Sequence, residues 1–365
     1  MSSCREPLTR LATAGLLVAL VACSGSEPAG GPGSAPGPSG ADTESGNRDA
    51  RAATGGYFET LGRFGDATHR RLTFAAMGTD VTIEALGPDL ATLDAALLAA
   101  EVELRRVEDL CTSWRDSPLT RMNARAGQGP APLDLELATL IGRGLAVGEL
   151  SGGAFDVTFA GVGRLWDFKA DPPVLPAEDE ITAALAVVDY RAVDLDLDAG
   201  TLALPAGAAI GLGGIAKGYG VDRAMAVLLE QGVEHGLVNA GGDLKVLGTK
   251  AGEPWRVAIR HPRDRESVLA MVPLSNTCIV TSGDYERFFE HEGRRYHHIL
   301  DPRTGYPSTG AMSATVLAPD AAFADALATA LAVLGPEALA LVEDLDRVEA
   351  LVVDLDGEVH RSSGL

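Results

Sequence analysis

The sequence predicts an α+β protein built on a mixed sheet and divided into two lobes. Three observations predict it. Strand and helix periodicities both occur but do not alternate strictly, as a doubly wound fold would require. The 365 residues suit one large domain with two lobes, or two domains. With 46% hydrophobic and 22% charged residues there is material for a core, and no internal repeat divides the chain.

Val81, Ile83 and Ala85 alternate with Thr82 and Glu84, a strand pattern. From Asp89 to Leu110, Leu90, Leu93, Leu97, Ala100, Leu104 and Val107 recur at three- and four-residue spacing, which predicts an amphipathic helix. A second helix is expected between Leu133 and Leu150. Val193, Leu195 and Leu197 alternate with Asp residues and meet a turn at Asp198-Ala199-Gly200, so a hairpin with one wet face follows. Strands are expected at Gly236 to Asn239, Trp255 to Ile259 and Ser313 to Leu317. Helices are expected after Lys217, from Asp320 to Leu334 and from Glu337 to Asp344.

The amino terminus has another character. Arg5 and Arg10 precede an uncharged stretch from Leu11 to Val21, which is too short to span a bilayer and reads as a secretory leader, residues 1–22. Leu20-Val21-Ala22-Cys23 resembles a bacterial lipobox, which implies a lipid on Cys23. In the following 33 residues, Ser24 to Gly56, 24 are Gly, Pro, Ser or Ala, so 23–56 is expected to be a flexible tether and 57–365 the folded domain. Of the remaining cysteines, Cys111 and Cys278 sit in apolar surroundings and define no metal site.

Charge excludes one class of function. Against 30 Lys and Arg stand 51 Asp and Glu, a net charge of −21 that repels nucleic acid. The acidity is uneven: Arg256 to Arg303 holds eight Arg, seven Asp or Glu and four of the seven His, a net of +1.

Two motifs fail on inspection. Asp194, Asp196 and Asp198 mimic a calcium loop, but Ala199 and Pro205 replace its Gly and its bidentate Glu. Gly211-Leu212-Gly213-Gly214-Ile215-Ala216 fits a loose dinucleotide pattern without the acidic residue about 20 positions on. Its glycines still permit close backbone approach, and Lys217 beside them could meet a phosphate or simply be an exposed Lys after a tight turn.

The segment Ala321 to Leu334 is apolar except for Asp325 and Thr329, which fall four apart on one helical face. A buried carboxylate needs a partner. A hard cation such as Mg2+ would supply one; a helix-dipole Asp with a Thr bonded back to the chain would also account for the pair. Thr281-Ser282-Gly283-Asp284 and Tyr296 to Gly305 gather hydroxyls, imidazoles and carboxylates in a pattern that suits a phosphate ester.

In order, Met77-Gly78-Thr79, Ser113-Trp114-Arg115 with Asn123, Gly153 to Thr158, Gly213 to Tyr219, Asn239 to Asp243, Thr281 to Asp284, His298 to Gly305 and Ala324 to Ala330 resemble the ApbE-type FAD:protein FMN transferases. That resemblance implies Mg2+-dependent transfer of FMN from FAD to a Thr or Ser hydroxyl of a partner flavoprotein, with release of AMP, by an exported, often lipid-anchored protein with the flavin between two lobes. By the same resemblance Met77, Trp114, Ala154, Phe155, Asp156, Lys217 and Ile299 line the FAD site, and Gly214, Asp325 and Thr329 hold the metal. Lys217 would also steady the leaving group, and His298 and Asp301 are candidates for proton transfer. Gly211 stands where the family usually has Asp, and Trp114 where it has Tyr. The same residues would also serve an FAD pyrophosphatase, with water as nucleophile, or a flavin-binding lipoprotein without catalysis.

Overall fold

The computed structural model describes residues 48–51, 55–264 and 266–365. The leader 1–22, Cys23 and most of the linker lie outside the described residues. Backbone order begins earlier than Tyr57: Arg48–Arg51 (β1) pairs with the edge of Tyr57–Phe64 (β2), which requires only main-chain groups.

In chain order β3 is Ala67–Ala76 and β4 Thr79–Gly87, followed by α1 (Leu90–Cys111), α2 (Pro118–Asn123), β5 (Ala131–Pro132) and α3 (Leu135–Leu150). Next come α4 (Ala160–Gly163), α5 (Glu178–Leu185), β6 (Asp194–Asp196), β7 (Thr201–Ala203), α6 (Ala216–Glu230), β8 (His235–Ala240) and β9 (Asp243–Leu247). The last third holds β10 (Trp255–Arg260), β11 (Val268–Leu274), β12 (Thr277–Gly283), β13 (Phe288–His291), β14 (Arg294–His297), β15 (Ser313–Ala318), α7 (Ala321–Leu334), β16 (Glu349–Val353) and β17 (Val359–Arg361).

Ten strands form one sheet in the order β1-β2-β3-β4-β8-β9-β12-β15-β16-β17. The α+β class holds, but every ladder between named strands is antiparallel, so the sheet is not mixed. All but one of the predicted helices form, α1 being capped by Asp89, whose side chain accepts from the Thr92 amide. The expected helix over 337–344 is instead a 3-10 turn at Pro336–Leu341. The Asp-rich hairpin is β6–β7, with its aspartates exposed.

Helices α1, α6 and α7 cover one face of the sheet, and the β10–β11 hairpin packs on the other through Trp255, Ile259 and Val272. The chain between α1 and α6 builds a second core from Leu119, Leu137, Ile141, Val157, Leu202 and Ile210. Helix α7 lies between the two cores. Ala321, Ala324, Leu327, Ala328 and Leu331 pack into the sheet core, while Ala322, Ala326 and Ala330 pack into the second. A helix buried on two sides must be apolar nearly all round, which is what the sequence displayed. Asp325 and Thr329 occupy the stripe between those faces, at the seam of the lobes. Cys111 and Cys278 are both buried free thiols. Among the described residues no helix is long and apolar enough to cross a membrane.

Candidate active site

The seam depends on a close contact between α6 and α7. A Cβ on Gly218 would stand 2.1 Å from the Ala321 carbonyl oxygen, so only glycine fits there. The first amides of α7 are held by α6 in turn: Asp222 accepts from Ala321 and Ala322 at 2.9 and 3.0 Å, and Lys245 braces Asp222 at 2.5 Å. With the helices so fixed, the Gly218 amide in the first turn of α6 donates to Asp325 Oδ2 at 3.1 Å.

Lys217, its neighbour, donates to Asp243 Oδ2 at 2.5 Å and to Asp325 Oδ1 at 3.3 Å. Asp243 is 1% and Asp325 2% exposed. Burial alone would lower the Lys217 pKa, but the two carboxylates hold the ammonium above the usual lysine range. Thr329 Oγ1 donates back to the Asp325 carbonyl at 3.1 Å and lies 3.2 Å from Ser282 Oγ. Gly214 abuts the same hydroxyl: a Cβ there would be 3.3 Å from Thr329 Oγ1 and 3.0 Å from the Phe155 ring.

The arrangement therefore brings together Gly214, Lys217, Asp325 and Thr329, with Phe155 against them. Two residues to which the motifs assigned no role join them. Asp243 is the partner of Lys217, and Ser282 faces Thr329. The side-chain oxygens gathered there are carboxylate and hydroxyl, without a thiolate, a set that suits Mg2+ better than a soft metal. Burial first, then the Asp325 carboxylate, push the Asp243 pKa up to about 8 against the pull of Lys217, a cost that a divalent cation beside the pair would relieve.

The flavin-lining candidates divide. Met77 sits in the β3–β4 turn with a left-handed φ of 53°, unusual for a residue with a side chain, and reaches the α6 backbone at Gly220. Trp114, beyond the end of α1, is 88% exposed, an aromatic face available for stacking. Ala154, Phe155 and Ile299 are buried, Ala154 and Ile299 in the sheet core and Phe155 in the second. Asp156 is an internal brace: its carboxylate accepts from the Thr158 amide and hydroxyl at 2.7 and 2.6 Å and from the Tyr190 amide at 2.9 Å. Burial raises its pKa and the Thr158 bonds oppose the rise. The Gly211 amide donates to the Val157 carbonyl at 2.7 Å.

His298 follows the β13–β14 hairpin, its amide donating to Arg287 O at 3.0 Å. Its Nδ1 is buried without a hydrogen-bond partner among the described residues. Burial first, then the charges of Arg287, His297 and Lys217, push its pKa down to about 4, so the imidazole is neutral at pH 7. Asp301 is engaged elsewhere. Both its oxygens receive the Arg303 guanidinium, at 2.8 and 2.7 Å, and its carbonyl accepts from Thr304 and Gly305, so it shapes the loop.

Such a fold and seam define a two-lobed α+β protein with a charged, oxygen-rich centre where the two cores meet. The profile of the ApbE family matches residues 77–352, and the chain belongs to that family. It is 37% identical over 294 residues to the FAD:protein FMN transferase of Treponema pallidum, covering 75% of this chain and 81% of that one. To the FAD:protein FMN transferase of Vibrio cholerae it is 33% identical over 291 residues, covering 77% and 86%. Among solved structures it is similar to the ApbE protein of Thermotoga maritima, with a TM-score of 0.75, 34% identity and 81% and 97% coverage. The flavin transferase ApbE of Vibrio cholerae gives a TM-score of 0.73 and 31% identity, covering 82% and 98%.

Proposed function

We propose that this chain is an FAD:protein FMN transferase. It moves FMN from FAD, with Mg2+, onto a Thr or Ser hydroxyl of a partner flavoprotein and releases AMP. The observation that carries the reading is the buried Lys217-Asp243-Asp325 cluster with Thr329 beside it, in a chain of the ApbE family.

Each residue has a task. Asp243 fixes the Lys217 ammonium so that it meets the diphosphate already oriented. Asp325, Thr329 and the Gly214 carbonyl would hold Mg2+, which when bound neutralises diphosphate charge. The unpartnered Nδ1 of neutral His298 takes the proton of the acceptor hydroxyl. That oxygen bonds to the FMN phosphorus as the bond to the bridging oxygen breaks, and AMP leaves with the bridging oxygen. Met77, Trp114 and Phe155 supply the apolar surface against which a flavin packs.

We place the protein, on the leader and the lipobox-like Cys23, as an exported lipoprotein anchored on the extracytoplasmic side, acting on a membrane or exported flavoprotein. Cys23→Ala should then move the chain from the membrane to the soluble fraction. The decisive assay incubates the purified chain with FAD, Mg2+ and an acceptor flavoprotein, and measures protein-bound flavin against AMP. Equal amounts support the transferase. AMP matched by free FMN, with no bound flavin, would mean a pyrophosphatase instead.

A further inference from the structure

A guanidinium to which neither the motifs nor the seam gives a task stands beside His298. In the β13–β14 hairpin Phe288 lies opposite His297, and the next rung is the His298 amide donating to the Arg287 carbonyl at 3.0 Å. Residues directly opposite in an antiparallel ladder share a face, with Cβ atoms about 5 Å apart. Arg287 and His298 therefore project together. By the same alternation they share the face on which Phe289 and Tyr296 stack, and Tyr296 meets Trp166 of the second lobe at 5.8 Å between ring centroids. That face looks across to the second lobe.

The Arg287 side chain also reaches the turn that carries Met77. Its Nη2 donates to the Gly78 carbonyl at 3.2 Å. Gly78 has a left-handed φ of 72°, and a Cβ on it would stand 3.3 Å from the same nitrogen. Next to it, Met77 packs on α6, where a Cβ on Gly220 would be 2.9 Å from Met77 Sδ, about one turn beyond Lys217. Arg287 thus spans from His298 to a turn that rests on the helix of Lys217. The field agrees with the geometry, since the charges of Arg287 and Lys217 both act on the His298 imidazole.

This guanidinium is available. Arg287 is exposed and makes no ion pair among the described residues, because the neighbouring acids are taken. Glu286 is held by Arg260 at 2.9 Å and Asp284 by Arg263 at 2.6 and 2.7 Å. The bond to Gly78 uses one of five N–H donors. Lys217, by contrast, is already engaged by two buried carboxylates. A guanidinium fork suits two oxygens of one phosphate in a way an ammonium does not.

We propose that Arg287 is a further catalytic residue, whose guanidinium donates to the non-bridging oxygens of the FMN phosphate during transfer. As the acceptor oxygen bonds to phosphorus and the bond to the bridging oxygen breaks, the charge on those oxygens meets a donor already held in place by Gly78. Arg287 itself gives up no proton. The proposal rests on the transferase reading, and the assay separates the two.

The full chain is incubated with FAD, Mg2+ and an acceptor flavoprotein, and both AMP and protein-bound flavin are followed. Arg287→Ala should lower kcat about 10²–10³-fold while the KM for FAD moves by less than about threefold, because the contact strengthens only as charge develops. Its Tm should match the wild type, since the side chain is exposed. Guanidinium chloride at millimolar concentration should restore part of the kcat of Arg287→Ala and none of that of Lys217→Met. Arg287→Lys, which keeps the charge but loses the fork, should fall between Arg287→Ala and the wild type. A kcat for Arg287→Ala within about threefold of the wild type overturns the assignment. So does a lowered kcat that guanidinium leaves untouched, or a loss confined to the KM for FAD; either makes Arg287 a strut for the Gly78 turn. If the wild type yields AMP and free FMN but no bound flavin, the transferase reading fails, and AMP release then decides Arg287 by the same criteria. A wild type that releases no AMP removes both.

Discussion

Lys217 Nζ lies 2.5 Å from Asp243 Oδ2 and 3.3 Å from Asp325 Oδ1, so one ammonium bridges two carboxylates that are all but sealed from water. Removing one member strands the others. Asp243→Leu and Lys217→Met should each cost roughly 3–5 kcal/mol in urea unfolding at pH 7, whereas the two combined should cost less than the sum. Simple additivity would show the pair to be uncoupled.

Asp325 is also the candidate metal carboxylate. Mg2+ at about a hundredfold excess over its Kd should stabilise the wild type by about 2.7 kcal/mol, read as a rise in Tm. Asp325→Ala should abolish both that rise and turnover. A preserved Mg2+-dependent shift would place the metal elsewhere.

His298 gives two pH signatures. As the proton acceptor its neutral form persists until pH falls through about 4, so the acid limb of the rate profile should lie near there rather than near 6.5. His298→Gln should lower kcat about 10²–10⁴-fold. For stability, the unfolded imidazole takes up a proton below its ordinary pKa while the folded one resists, so stability falls from about pH 6.5 towards 4. His298→Gln should remove up to about 3 kcal/mol of that slope, measured as the change in urea midpoint with pH.

Asp301, bound by Arg303 on both oxygens, should behave as a loop-shaping residue. Asp301→Asn and Arg303→Ala are expected to lower kcat/KM by similar amounts, about tenfold, without moving the pH profile. A displaced acid limb in Asp301→Asn would return it to proton transfer.

Trp114 is so exposed that Trp114→Ala should leave Tm unchanged. If it stacks on the flavin, KM for FAD should rise about tenfold and Trp114→Tyr should restore it.

Much of this was legible in the sequence because local patterns and burial agreed. The apolar surround of Asp325 and Thr329 foretold a helix enclosed on both sides, and α7 is wedged between two cores. The roles of Asp243 and Ser282 were not legible. Both depend on β9 lying between β8 and β12, a non-local order that no spacing encodes. Strand direction was equally hidden, since alternation reads the same in parallel and antiparallel sheets. The β13–β14 hairpin went unforeseen because its alternation is short: Phe289 and Tyr296 pack inward, while Glu290 and Arg295 pair on the other face. At Asp301 the motif could not show that Arg303, two residues on, folds back onto its carboxylate.

The second lobe lies between α1 and α6, themselves between β4 and β8, two strands that pair directly from Val81↔Ala240 to Leu86↔His235. The register of the sheet, and with it Asp243 and Ser282, is thus secured without the lobe that carries Trp114, Ala154 and Phe155. The two halves can drift separately in evolution. Loops of the inserted lobe can change without moving β9, α6 and α7, the elements that hold Asp243, Lys217 and Asp325 together.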